Sequence, residues 1–316
     1  MSKKLSFLLG FIPCLFACAG DAVLLERIRF EKDASKRAVL LDKMQTLVDR
    51  TSHTEFCSFD EDPKLKTANP LLKFYDRTID HIKKDISETQ VVPGTAAIWY
   101  LYNMGFIIKT PTVCFGVDIH HRRAAELAEV LDFLAITHNH TDHYSMPLMR
   151  EMNRLKKPVI SNFFDNPYYT KAAEYTHRIS GVTIHCGEAD HNSRLKKFTM
   201  PLEFICPTGN TNFVLFTSGD CRSEIFLHKK SKQINLYAVH PFCGMKAVNA
   251  AQKLAPQTTF LVHLQEMSHP VNKWRWTIAQ GRAEQKIFNQ KNLDSYLPVW
   301  GEKFIWNGKT LSGCRE

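Results

Sequence analysis

The sequence predicts a layered α/β fold, with two β-sheets packed face to face, helices outside them, and a helical extension ahead of the first strand. Three observations predict it. Residues 21–89 carry apolar side chains at helical spacing. After Val91-Val92-Pro93-Gly94 the chain breaks into many short segments rich in β-branched and aromatic residues. Further on, such segments alternate with helical ones.

In the extension, Ala38, Leu41, Met44 and Val48 recur three and four apart and share one helix face. The polar stretch Phe59-Asp60-Glu61-Asp62-Pro63 interrupts the pattern. Asn69-Pro70 then supplies an N-cap and a first-turn proline, and Leu72, Tyr75, Ile79, Ile82 and Ile86 continue the apolar stripe. Past Gly94, Ala97 to Thr110 and Thr112 to Ile119 read as two strands joined by a turn at Lys109-Thr110-Pro111. A helix is expected from Arg122 to Val130 and an apolar strand from Leu131 to Thr137. Later strands are expected at 158–161, 181–185, 202–206, 213–218, 234–239 and 259–264, with helices at 246–254 and 278–289.

The chain has 316 residues, enough for one large domain with an appendage. Ordinary apolar and charged contents exclude a disordered or fibrous class. A formal net charge of +9 favours anionic partners. The basic residues are scattered, so nucleic acid is not among the expected partners. At the N-terminus Lys3 and Lys4 precede the apolar run Leu5 to Ala17, too short to span a bilayer but suited to a signal peptide over residues 1–20. Leu15-Phe16-Ala17-Cys18 resembles a bacterial lipobox, with Phe16 atypical. That predicts an exported protein, periplasmic or membrane-anchored through a lipid on Cys18; simple cleavage after Ala19 and a cytoplasmic location are the alternatives. The nine cysteines include no CxxC pair, and Cys114, Cys186, Cys206 and Cys221 sit singly in apolar segments, so buried thiols are expected rather than a disulfide framework.

The chemistry concentrates in His138-Asn139-His140-Thr141-Asp142-His143, directly after an apolar strand. Imidazole and carboxylate ligands suit zinc and similar dications, and alternation places His138 and His140 on one side of an extended chain. This segment resembles the His-x-His-x-Asp-His signature of the metallo-β-lactamase fold superfamily. His191, Asp220 (in Thr217-Ser218-Gly219-Asp220) and His263 match the family's remaining ligands in the expected order, and Asp118 resembles its structural aspartate. The resemblance covers about residues 95–270.

It implies a four-layer αββα sandwich over residues 91–316, after a helical extension over 21–90. It implies two divalent metal ions, Zn2+ or else Mn2+ or Fe. One would be held by His138, His140 and His191, the other by Asp142, His143 and His263, with Asp220 shared. A hydroxide between the two metals would be the nucleophile, and Asp142 would also orient it as the catalytic residue. The short motifs look most like the branch of ascorbate-6-phosphate lactonase and the N-acyl-phosphatidylethanolamine phospholipases. The expectation is hydrolysis of an ester, lactone or phosphodiester in a small, anionic substrate. A non-catalytic ligand-binding lipoprotein that keeps the fold is the alternative. Asp190, Cys221 and His185 are read as structural, and His120 and His121 as a surface loop. His240 and His269 are candidates for contacting substrate; Trp274 and Trp276 line a pocket or close the core.

Overall fold

The computed structural model describes residues 20–21, 23–59, 68–170, 174–271 and 273–312. The expected targeting segment, Cys18 and most of the polar stretch after Phe59 lie outside the described residues.

Helices α1 (Ala34–Arg50), α2 (His53–Ser58) and α3 (Pro70–Glu88) precede the strands. Asn69 caps α3 as its sequence indicates, its Oδ1 accepting from the backbone N–H groups of Leu71 and Leu72. The stripe from Leu72 to Ile86 is buried, and so are Leu41, Met44 and Val48 of α1. A seven-stranded sheet follows, containing β1 (Ala96–Tyr100), β2 (Phe106–Lys109), β3 (Cys114–Val117), β4 (Phe133–Ala135) and β5 (Val159–Ile160). It is completed by β13 (Glu302–Trp306) and β14 (Leu311–Ser312), in the order β14-β13-β1-β2-β3-β4-β5. The second seven-stranded sheet runs β12-β11-β10-β9-β8-β7-β6. Its strands are β6 (Tyr175–Ile179), β7 (Val182–Cys186), β8 (Leu202–Pro207), β9 (Asn212–Thr217), β10 (Ile234–Val239), β11 (Pro256–Leu261) and β12 (Ser295–Tyr296).

Aromatic pairs join the sheets: Phe115–Phe204, Phe106–Phe260, Phe213–Trp306 and Phe260–Phe304, with ring centroids 5.1, 6.2, 5.6 and 4.6 Å apart. Helices cover the outer faces. Trp99 on β1 donates to Asp85 on α3, α4 (Met146–Arg154) packs on β4 and β5, and α5 (Ala247–Leu254) packs on β10. β1 is therefore buried on both faces, which explains its unbroken apolar run Ala-Ala-Ile-Trp-Tyr. The outcome is the four-layer sandwich, with α6 (Ile278–Gln290) against β12 and α5.

Three expectations are corrected. The strand expected from Ala97 to Thr110 is a hairpin, because Tyr102-Asn103-Met104-Gly105 turns back with Asn103 at φ 56°. The helix expected over Arg122 to Val130 is a short 3-10 turn, Ala124–Leu127. There Arg123 spends its guanidinium on Asp76 and Asp80 of α3, and its neighbours bond three residues back. His121 is not on a surface loop: it is buried, stacked on Tyr75 at 4.1 Å. Strands β6, β12, β13 and β14 and helix α4 were not foreseen. All six described cysteines are free, and Cys114, Cys186, Cys206 and Cys221 are buried. Among the described residues no helix is long and apolar enough to cross a membrane.

Candidate metal centre

Strands β3 and β4 are parallel, as are β9, β10 and β11, so their C-terminal ends meet at one edge of the sandwich. Loops leaving such ends are where α/β folds gather ligands. The segment 138–143 leaves β4, His191 lies in the loop after β7, and Asp220, His240 and His263 follow β9, β10 and β11. All seven residues expected to bind metal are brought together there.

They form two groups sharing one carboxylate. In the first, the donor atoms of His138, His140, His191 and Asp220 lie within 4.8 Å of one another; in the second, those of Asp142, His143 and His263 do. His138 Nε2 stands 3.1 Å from His140 Nδ1. Asp220 Oδ2 lies 3.4 Å from His191 Nε2 and 3.8 Å from His138 Nε2, while its Oδ1 lies 3.4 Å from His143 Nε2. Oδ2 also lies 3.9 Å from His263 Nε2, so this one carboxylate reaches donors of both groups. Asp142 Oδ2 sits 3.0 Å from His263 Nε2.

Surrounding residues fix these donors. Asp118, at φ 44°, accepts from Thr137 N and Thr137 Oγ1 at 2.7 Å and from His143 Nδ1 at 3.0 Å, which turns His143 Nε2 inward. Gly219 takes φ 50° with its missing Cβ position only 2.7 Å from the Thr137 side chain, so Ser218-Gly219-Asp220 can close here only with glycine. Asp190, expected to be structural, pairs with Arg222 at 2.7 Å and accepts from Lys197 N, tying the His191 loop to the Asp220 loop. Cys221 donates to Ser223 O, and His185 meets Thr176 Oγ1 at 2.9 Å, both away from the centre.

Two contributors went unrecognised in the sequence. Asn103 donates from Nδ2 to Asp142 O at 2.7 Å, and its own carbonyl accepts from His263 N; the only clue was the Asn-x-Gly turn signal. Glu266 is fully buried and accepts from Tyr102 Oη, Ser268 and His269 Nδ1; nothing in sequence spacing marks it. His240 is closer to the donors than a substrate contact requires. Its Nδ1 is 3.0 Å from Asp220 Oδ1, and its ring lies parallel to His263 at 3.8 Å.

The electrostatics suit cations. Burial opposes ionisation of Asp220, but His240, His143 and His263 outweigh it and hold the carboxyl well below the usual range. Asp142 behaves alike: burial is overcome by His143 and His263. Burial, with His143 beside it, pushes His138 far down, keeping its lone pair available. Four buried polar atoms here have no protein partner: His143 Nε2, His240 Nε2, His263 Nδ1 and Asn103 Oδ1. Such atoms are costly unless something else satisfies them, and five imidazoles with two carboxylates fit a pair of dications. His140, Asp142, His191, Asp220 and His263 line a cleft of about 580 Å³, which Phe242, Trp274 and Trp276 also line. None of the described lining residues is Lys or Arg, so the excess positive charge is not gathered at the cleft.

No family model and no curated protein matches this chain. Solved structures do. A metallo hydrolase from Ignicoccus hospitalis is similar at TM-score 0.52 and 15% identity, over 68% of this chain and 100% of that one. CmlA, a diiron β-hydroxylase from Streptomyces venezuelae, is similar at TM-score 0.50 and 10% identity, over 69% of this chain and 54% of that one. With the paired seven-stranded sheets, the outer helices and the donor loops at one edge in the order His-x-His-x-Asp-His, His, Asp, His, the chain has the metallo-β-lactamase fold.

Proposed function

We propose that this protein is a dinuclear metal-dependent hydrolase that cleaves an ester, lactone or phosphodiester in a small molecule. The observation that carries the reading is Asp220, whose carboxylate lies between the two groups of donors, 3.4 Å from His191 of one and 3.4 Å from His143 of the other. His138, His140 and His191 would hold one ion, Asp142, His143 and His263 the other, with Asp220 between them. Two dications held there would lower the pKa of bound water and polarise the scissile bond. Zn2+ suits these ligands; Mn2+ and iron also do.

The chain's own residues do the rest. Asp118 and Thr137 orient His143, Asn103 holds Asp142 by its carbonyl, and His240 steadies Asp220. Asp142, whose Oδ2 lies 3.0 Å from His263 Nε2 among the donors, is the carboxylate that would orient the attacking water. No Ser or Cys nucleophile is needed.

The test is metal analysis of purified protein followed by a panel of a phosphodiester, a lactone, a thioester and a β-lactam. About two metals per chain and turnover of one ester-type member are expected. A protein that refuses metal and turns over nothing would favour the reading as a non-catalytic binding protein. Similarity to a diiron β-hydroxylase makes an oxygen-using iron enzyme the second reading, which oxygen consumption by iron-loaded protein would support.

A further inference from the structure

We propose that the aromatic wall of Phe242, Trp274 and Trp276, in the cleft that also holds metal donors, receives a flat, ring-containing group of the substrate, an aryl or fused-ring substituent beside the bond that is cleaved. This rests on the hydrolase reading for the scissile end of the molecule only.

The wall is built and not incidental. Phe242 and Trp276 lie 4.6 Å apart, tilted by 30°, and both are half-buried. Trp276 is fixed by its backbone, paired with Leu264 and accepting from Gln265 N at 2.7 Å. Trp274 is 57% exposed with φ 65°. A bulky residue in the left-handed region is strained, and one left in solvent recovers little of that cost through burial. The buried indole N–H of Trp276 also has no partner within the protein. Core packing holds one side of Trp276 but leaves its indole N–H unpartnered and Trp274 in solvent, and a ligand over them would account for both.

The same cleft holds wall and donors. Two short runs of rings connect them: His263 to His269 to Trp274, at 6.4 and 5.6 Å, and His240 to Phe242 to Trp276, at 6.5 and 4.6 Å. Two steps of about one ring each thus join the donor side of the cleft to each tryptophan. The wall is also held rigidly. Arg275, between the tryptophans, donates to Val48 O and Thr51 O at the end of α1 and to Met267 O and His269 O in its own loop. Gln45 Oε1 on α1 accepts from Ile278 N and from Gln265. The helical extension thus braces the face that would read the substrate.

The experiment is calorimetric titration of the zinc-loaded protein with methylphosphonate and with 2-naphthylmethylphosphonate. Stacking on the wall predicts about tenfold tighter binding of the naphthyl compound. Trp276→Ala and, independently, the exposed Trp274→Ala should each reduce that preference while leaving methylphosphonate affinity unchanged. The use of two variants guards against misfolding of the first. Equal affinity for the two phosphonates, or a preference that survives both variants, overturns the proposal. If only the naphthyl compound binds, with or without zinc, and Trp274→Ala abolishes it, the wall stands and the metal reading fails. If neither binds, both fail.

Discussion

Two clusters of buried histidine and carboxylate differ in one respect that separates chemistry from packing. Between the helical extension and the first sheet, His121 is fully satisfied. Its Nε2 donates to Tyr75 O at 2.9 Å and its Nδ1 accepts from Arg123 N at 3.1 Å. Nearby, Glu302 is buried against Arg37 at 2.8 Å and also accepts from Tyr296 and Val299 N. At the strand ends, by contrast, buried ring nitrogens of His143, His240 and His263 go without protein partners, and carboxylates face several imidazoles at once. Burial is equal in the two places. What differs is whether the polar atoms are paired, and an unpaired cluster is organised for something from outside the chain.

That contrast can be broken experimentally, and the largest effect belongs to the shared carboxylate. Asp220→Ala should abolish both bound metal and turnover while leaving circular dichroism of the fold unchanged; full metal content by mass spectrometry would show the centre is misplaced. Next is the packed cluster. Arg37→Met strands the buried Glu302 carboxylate and should cost about 3–5 kcal/mol in denaturant unfolding of metal-free protein. Metal affinity of the folded fraction should stay as it was. His240→Ala removes a support and not an expected ligand, so zinc affinity should fall about 10–100-fold with stoichiometry retained.

A smaller effect is seen through pH. Burial pushes His121 down to about 3, against about 6.5 in an unfolded chain. Between those values the unfolded state binds the extra proton, so this residue makes stability rise with pH across the window. On acidification from about 6.5 toward 3 it removes about 1.4 kcal/mol per pH unit. His121→Gln keeps a donor and an acceptor without titrating, and its metal-free unfolding should lose that slope relative to the parent. The smallest expected effect is at the α3 cap, where Asn69→Ala should cost about 1 kcal/mol of stability and change neither metal content nor turnover.

The seven expected donors were legible because ligands placed after strand ends sit close in sequence or follow recognisable strands. The hairpin at Asn103 was not, since Ala97 to Thr110 is almost continuously apolar, and only Asn-x-Gly marks its turn. The strands Glu302–Trp306 and Leu311–Ser312 escaped notice for another reason. They lie far from β1 in sequence, and their alternation is short. His240 and Glu266 carried no spacing signal at all; each acquires its role from a neighbour on a different strand or loop.

The sequence alone determined the layered class, the core stripes of α1 and α3, the cap at Asn69 and the histidine-rich segment 138–143. These follow from local periodicity and from side-chain chemistry, which are properties of short segments; His191, Asp220 and His263 were expected as ligands only through the family resemblance. Only the tertiary structure decided which of the fourteen histidines face one another, that the Asp220 carboxylate lies between two groups of donors, and that the helical extension braces Trp274 and Trp276 through Arg275. Those relations join residues up to more than two hundred positions apart, and only the closing of two sheets on one core brings them within hydrogen-bonding distance.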